Sequence, residues 1–131
     1  MKVLALDYGP ARTGVAVSDP TGTLARPLDV VDRAATESGL AQVLALARRE
    51  GAERIVVGLP VTLGGARSEQ AKETERFVER LREAIDLPVE TFDERFTTAL
   101  ARKTAGRAAE DAAAAAHLLS TYLEWVSRNL R

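Results

Sequence analysis

The sequence predicts one α/β domain, a mixed five-stranded sheet with helices on both faces. Three observations predict it. Two short apolar runs near the amino end have only Asp7 to Arg12 between them, which suits an antiparallel hairpin. Further on, strand-like runs at 54–58 and 89–93 alternate with helical patterns, an order that right-handed crossovers turn into parallel pairing. The chain of 131 residues shows no repeat or linker and is long enough for one core, so a single domain is expected over residues 1–131.

Taken in order, Val3-Leu4-Ala5-Leu6 reads as a buried strand ending in the turn Asp7-Tyr8-Gly9-Pro10. Thr13 to Ser18 is the second strand, and Arg26 to Val31 the third, after the turn Pro20-Thr21-Gly22. From Thr36 to Glu50, Leu40, Val43, Leu44 and Ala47 recur at helical spacing, and Gly51 stands where a helix stops. Arg54 to Gly58 has the unbroken apolar character of a buried parallel strand. A loop follows from Leu59 to Gly65, and Ser68 then caps a helix that carries Phe77, Val78, Leu81 and Ile85 on one face. Val89 to Asp93 is the fifth strand. Thr97 to Lys103 reads as a short helix, Gly106 as a break, and Glu110 to Asn129 as a long Ala-rich helix. In that last helix Leu118, Tyr122 and Trp125 form the expected core stripe, and Ala112 to Ala116 allows close approach to the sheet.

Composition narrows the chemistry. With 46% hydrophobic and 28% charged residues the chain is too apolar to be disordered, and 18 basic against 19 acidic residues leave no overall positive charge. Cysteine is absent, which excludes disulfides, thiolate zinc sites and cysteine nucleophiles. The single histidine, His117, makes His-rich metal sites and Ser-His-Asp triads poor readings, and its place in the Ala-rich helix suits a packed or surface position. No apolar run reaches the roughly 18 residues that span a bilayer, and Met1-Lys2 leads straight into a strand rather than a signal peptide. A cytoplasmic protein with no membrane partner is expected.

The chemistry-bearing candidates are acids. Asp7 closes the first strand, Asp93 and Glu94 close the fifth, and Asp111 opens the terminal helix. If both strands point their carboxyl ends to one edge, these side chains converge. Clustered carboxylates repel one another, and a hard divalent cation, Mg²⁺ or Mn²⁺, relieves that repulsion with oxygen ligands alone. A pair of such ions, roughly 4 Å apart, activates water for phosphodiester hydrolysis. On spacing alone, solvated strand ends and a helix-dipole role for Asp111 remain the simpler reading. The loop Gly58 to Gly65 offers backbone N–H groups to a phosphate but lacks the Gly-Lys-Ser/Thr of a nucleotide loop. Arg12, Arg67 and Arg95 adjoin these segments and suit phosphate pairing or plain surface positions.

Five separated segments carry a resemblance: Leu4-Ala5-Leu6-Asp7-Tyr8-Gly9, Arg12-Thr13-Gly14-Val15-Ala16-Val17-Ser18-Asp19, Val57-Gly58-Leu59-Pro60, Asp93-Glu94-Arg95-Phe96-Thr97-Thr98 and Asp111-Ala112-Ala113-Ala114-Ala115. In this order they resemble the YqgF family, also called RuvX, of Holliday junction resolvases and ribosomal RNA processing nucleases. The resemblance implies a ribonuclease H-like fold and a metal-dependent nuclease acting on structured RNA or branched DNA. It implies Asp7, Glu94 and Asp111 as catalytic metal ligands for Mg²⁺ or Mn²⁺, with Asp93 as the alternative to Glu94. Arg12 and the loop Gly58-Leu59-Pro60 would lie near the substrate backbone, whereas Arg67 and Arg95 are phosphate candidates from their position alone.

The leading expectation is therefore a nuclease for the 16S rRNA precursor, for Holliday junctions, or both. The alternative is a ribosome-assembly factor that binds RNA without cleaving it. Asp7-Tyr8-Gly9 followed by a hairpin also resembles the first phosphate loop of actin-like ATPases, but that fold needs a second related domain. Cutting two symmetric strands would require two active sites, so a homodimer is expected of a resolvase.

Overall fold

The computed structural model describes residues 1–60, 68–93 and 107–129. In chain order the elements are β1 (Val3–Asp7), β2 (Arg12–Ser18), β3 (Ala25–Asp32), α1 (Glu37–Glu50), β4 (Arg54–Leu59), α2 (Glu69–Ala84), β5 (Val89–Asp93) and α3 (Arg107–Asn129). The strands form one sheet in the order β3-β2-β1-β4-β5. Both opening pairs, β1 with β2 and β2 with β3, are antiparallel, while β4 pairs in parallel with β1 and with β5. This is the expected mixed sheet.

Alternation along the strands splits the core into two layers. Leu4, Leu6, Val15, Val17, Ile55 and Val57 face α1 and α2, where they meet Val43, Phe77 and Leu81. Ala5, Ala16, Val56 and Phe92 face α3, where they meet Ala115, Leu118, Leu119 and Tyr122. The period of two and the period of 3.6 thus meet on each side of one sheet.

Local signals fix the element ends. The Thr36 hydroxyl accepts from the Gly39 amide at 3.1 Å and Ser68 does the same for Ala71 at 3.2 Å, so both helices begin at side-chain caps. Gly51 takes the left-handed conformation, φ 67°, and closes α1. The Asp19 carboxylate gathers the Thr21 hydroxyl and the Thr23 and Leu24 amides, which tightens the β2–β3 turn and holds its carboxyl far below the ordinary range, the Thr21 bond contributing most.

Several expectations shift. The first three strands run one or two residues longer than the apolar runs, because the pairs Asp7–Gly14 and Arg12–Asp32 continue the ladders. Helix α2 ends at Ala84, and Ile85 is its extended cap. Trp125 is not core: it is 45% exposed and meets Phe92 edge-on at 6.0 Å. Phe92 belongs to the outermost strand, so the apolar stripe of α3 runs off the sheet there. The segments read as a short helix at 97–103 and a break at Gly106 lie outside the described residues.

Both outer strands carry obstacles to further pairing. In β3, Pro27 lacks an amide, and the ladder slips between Val15 and Ala16. On β5, the Arg82 guanidinium donates to the Val89 carbonyl through Nε at 3.0 Å and Nη2 at 2.8 Å.

A polar knot ties α3 to the amino ends of β4 and β5. The Tyr122 hydroxyl donates to the Glu90 carboxylate and accepts from Arg54 at 3.1 Å, while Arg54 also meets Glu90 at 3.3 Å. Burial, then the bond to Glu90, pushes the Tyr122 phenol above its ordinary value of 10.0, and burial likewise raises Tyr8. An unfolded tyrosine ionises near that value while the folded one keeps its proton, so stability is full below it and falls as pH rises beyond it. Urea midpoints measured at pH 9 and 11 should fall with pH, and the fall should be smaller in Tyr122→Phe.

Candidate functional site

The site begins with strand parity. Gly14 is the cross-strand partner of Asp7 and has the same orientation as Ala16, toward α3. Helix α3 comes in there at backbone distance: a Cβ on residue 14 would stand 1.9 Å from the Asp111 carbonyl oxygen and 3.1 Å from the Ala112 nitrogen. Only glycine fits. The first turns of α3 are thereby laid across β2 beside the carboxyl end of β1, and two acids far apart in the chain come to one place.

They line a polar cleft of about 230 Å³ with Tyr8, Gly9, Arg12, Gln70, Glu110 and Ala114. Asp7 and Asp111 are both half-buried. The Arg12 Nε donates to Asp111 Oδ2 at 2.5 Å, and that bond, before the charges of Asp111, Asp32 and Glu110, holds the guanidinium above its ordinary value. Arg12 has the parity of Gly14, which is why its side chain reaches α3. Under the cleft, Tyr8 stacks on Phe77 with ring centroids 4.6 Å apart.

The remaining candidates divide. Gly58 is buried and Pro60 half-buried at the carboxyl end of β4, near this edge but not in the cleft lining. Asp93 ends β5, paired with Leu59. Glu90 and Phe92 face α3, so Asp93, one residue on from Phe92, has the opposite orientation. Glu94, Arg67 and Arg95 lie outside the described residues. Among the described residues, no three acidic or imidazole side chains stand close enough to hold a metal ion. The acids in the cleft are carboxylates alone, a donor set suited to a hard cation and not to zinc. His117 sits half-buried in α3 and is not in the cleft lining.

Sequence reasoning missed Gln70 and Glu110 as cleft residues. Glu110 was signalled by its adjacency to Asp111. Gln70 was signalled by its place in the first turn after the Ser68 cap, a position that the crossover from β4 returns to the carboxyl edge.

A mixed sheet in this order, crossed by α3 beside β1, defines a ribonuclease H-like fold. T. thermophilus RuvC, solved in complex with a Holliday junction substrate, aligns over 98% of this chain and 95% of its own with a TM-score of 0.61 at 20% identity. The Fowlpox virus resolvase, solved with Holliday junction DNA, aligns over 96% and 99% with a TM-score of 0.61 at 12% identity. Identities that low show the shared fold alone.

The RuvX family model, described as Holliday junction resolvase, matches residues 1–125, and the chain belongs to that family. A Chloroflexus aurantiacus protein is 43% identical over 101 residues, which span 77% of this chain and 66% of that protein. A Moorella thermoacetica protein is 36% identical over 98% of this chain and 99% of its own length. Both carry the name "Putative pre-16S rRNA nuclease".

Because the Asp111 backbone occupies the space of a Cβ at position 14, Gly14→Ala must lift α3 from the sheet. The expected cost is about 1–3 kcal/mol of stability, read as a lower urea midpoint with unchanged slope.

Proposed function

We propose that this chain is a divalent-metal-dependent nuclease that hydrolyses phosphodiester bonds in structured nucleic acid. Its substrate is the 16S rRNA precursor, a Holliday junction, or both. The observation that carries the reading is the convergence of Asp7 and Asp111 on one polar cleft in a member of the RuvX family. The reading is cytoplasmic, and on a four-way junction it calls for two copies of the chain.

Asp7, Glu94 and Asp111 would hold Mg²⁺ or Mn²⁺. Glu94 is preferred over Asp93 because Asp93 has the orientation away from α3, as the alternation of Glu90 and Phe92 dictates. Such an ion, when bound, supplies Lewis-acid polarisation of the phosphate and lowers the pKa of a coordinated water.

The chain's own residues do the rest. Asp7 and Asp111 hold fixed negative charge beside the reacting phosphate and accept hydrogen bonds from the attacking water. Arg12, with a planar fork suited to phosphate oxygens, positions the scissile group from the same edge. Gly58 and Pro60 shape the neighbouring rim, and Arg67 and Arg95 contact flanking phosphates. Tyr8, packed on Phe77, walls the cleft and keeps the end of β1 in place.

Asp7→Asn keeps the size of the side chain and removes its charge. It should lower cleavage by about a thousand-fold, the equivalent of several kcal/mol of transition-state stabilisation, with an unchanged thermal melt. The assay uses a four-way junction and a 16S precursor RNA, each with Mg²⁺, Mn²⁺ or EDTA. EDTA should abolish cleavage, and undiminished cleavage by Asp7→Asn overturns the reading. Precursor binding without cleavage in either metal would favour the assembly-factor function instead.

A further inference from the structure

The Arg12–Asp111 pair sets two proposed roles against each other. Arg12 is assigned to substrate phosphate and Asp111 to a cation, yet they are bonded to each other at 2.5 Å. Both side chains are partly open to solvent, at 36% and 27%. They differ in freedom: the Asp111 main chain is held against Gly14, whereas Arg12 reaches it through a long side chain that rotates. Arg12 is also the one basic residue among the described residues that line the cleft, with Asp7, Glu110 and Asp111 around it.

A guanidinium and a divalent cation on the same carboxylate oxygen would stand only a few ångströms apart, where like charges repel. We propose that Arg12 is a positioning residue with two stations. Without a cation it neutralises Asp111. When a cation takes that carboxylate, Arg12 is displaced and becomes available to the substrate phosphate. Cation binding and phosphate capture are thereby coupled, and each strengthens the other by the same factor.

The inference rests on the nuclease reading, but its test needs no turnover. Mn²⁺ binding is measured by isothermal titration, with nucleic acid absent, on the wild type and on Arg12→Gln, Arg12→Met, Arg12→Lys and Arg26→Gln. Arg26 is an exposed residue paired with Glu50, outside the cleft, and serves as the control for total charge. Removing the competing charge should tighten Mn²⁺ about three- to tenfold in Arg12→Gln and Arg12→Met. Arg12→Lys, which keeps the charge, should stay near the wild type, and Arg26→Gln should match it.

Arg12→Met repeats the measurement should Arg12→Gln fold poorly. Equal Mn²⁺ affinity in the wild type and both neutral variants overturns the inference and leaves the nuclease reading standing. Equal tightening by Arg26→Gln assigns the effect to net charge and also overturns it. Absence of Mn²⁺ binding in every protein removes the nuclease reading and the inference together.

Discussion

The structure depends on a backbone contact. Helix α3 reaches β2 at Gly14 with no side chain between them, and the Asp111 carbonyl takes the space that any other residue would fill. The apolar α3 contacts tolerate small sliding movements, and the polar ones, Tyr122 with Glu90 and Arg54 and Asp111 with Arg12, run through side chains, but this one sets the height and the angle of the helix. Asp7 lies across the ladder from Gly14, and Arg12 stands two residues before it on the same face. Three polar side chains of the cleft are therefore placed relative to one main-chain contact. The packing of α3 places the Asp111 main chain, and the bond to Arg12 then orients its carboxylate.

The cleft has an electrostatic problem that follows from its composition. Carboxylates predominate in it, while the substrate class assigned to the family is a polyanion. A chain with 18 basic and 19 acidic residues has no general positive field to draw nucleic acid in. Attraction has to come from local groups and from bound cations. Arg12 is the local group that the described cleft contains, and its bond to Asp111 ties the two sources of positive charge to each other.

Most of the fold was legible because its signals are local. The caps at Thr36, Ser68 and Gly51, the meander and the parallel strand at 54–58 need only short-range rules, and each stands close to where the sequence implied. Trp125 was misread because helical spacing says which face it shares with Tyr122 but not where the sheet ends. The site was legible at Asp7 and Asp111, through motif and resemblance. Gln70 and Glu110 were missed: the Ser68 cap before one and the neighbouring Asp111 beside the other were signals, but neither says that the first turns of α2 and α3 open onto the same cleft. Gly14 was read only as part of a motif, although glycine inside an otherwise apolar strand already signals a close backbone approach.

The outer strands have a consequence for how the molecule keeps company with itself. Arg82 covers the Val89 carbonyl on one margin, and Pro27 with the slipped register spoils the other. Neither margin offers an unbroken row of donors and acceptors to an incoming chain, so growth into ribbons or fibrils is discouraged at both ends.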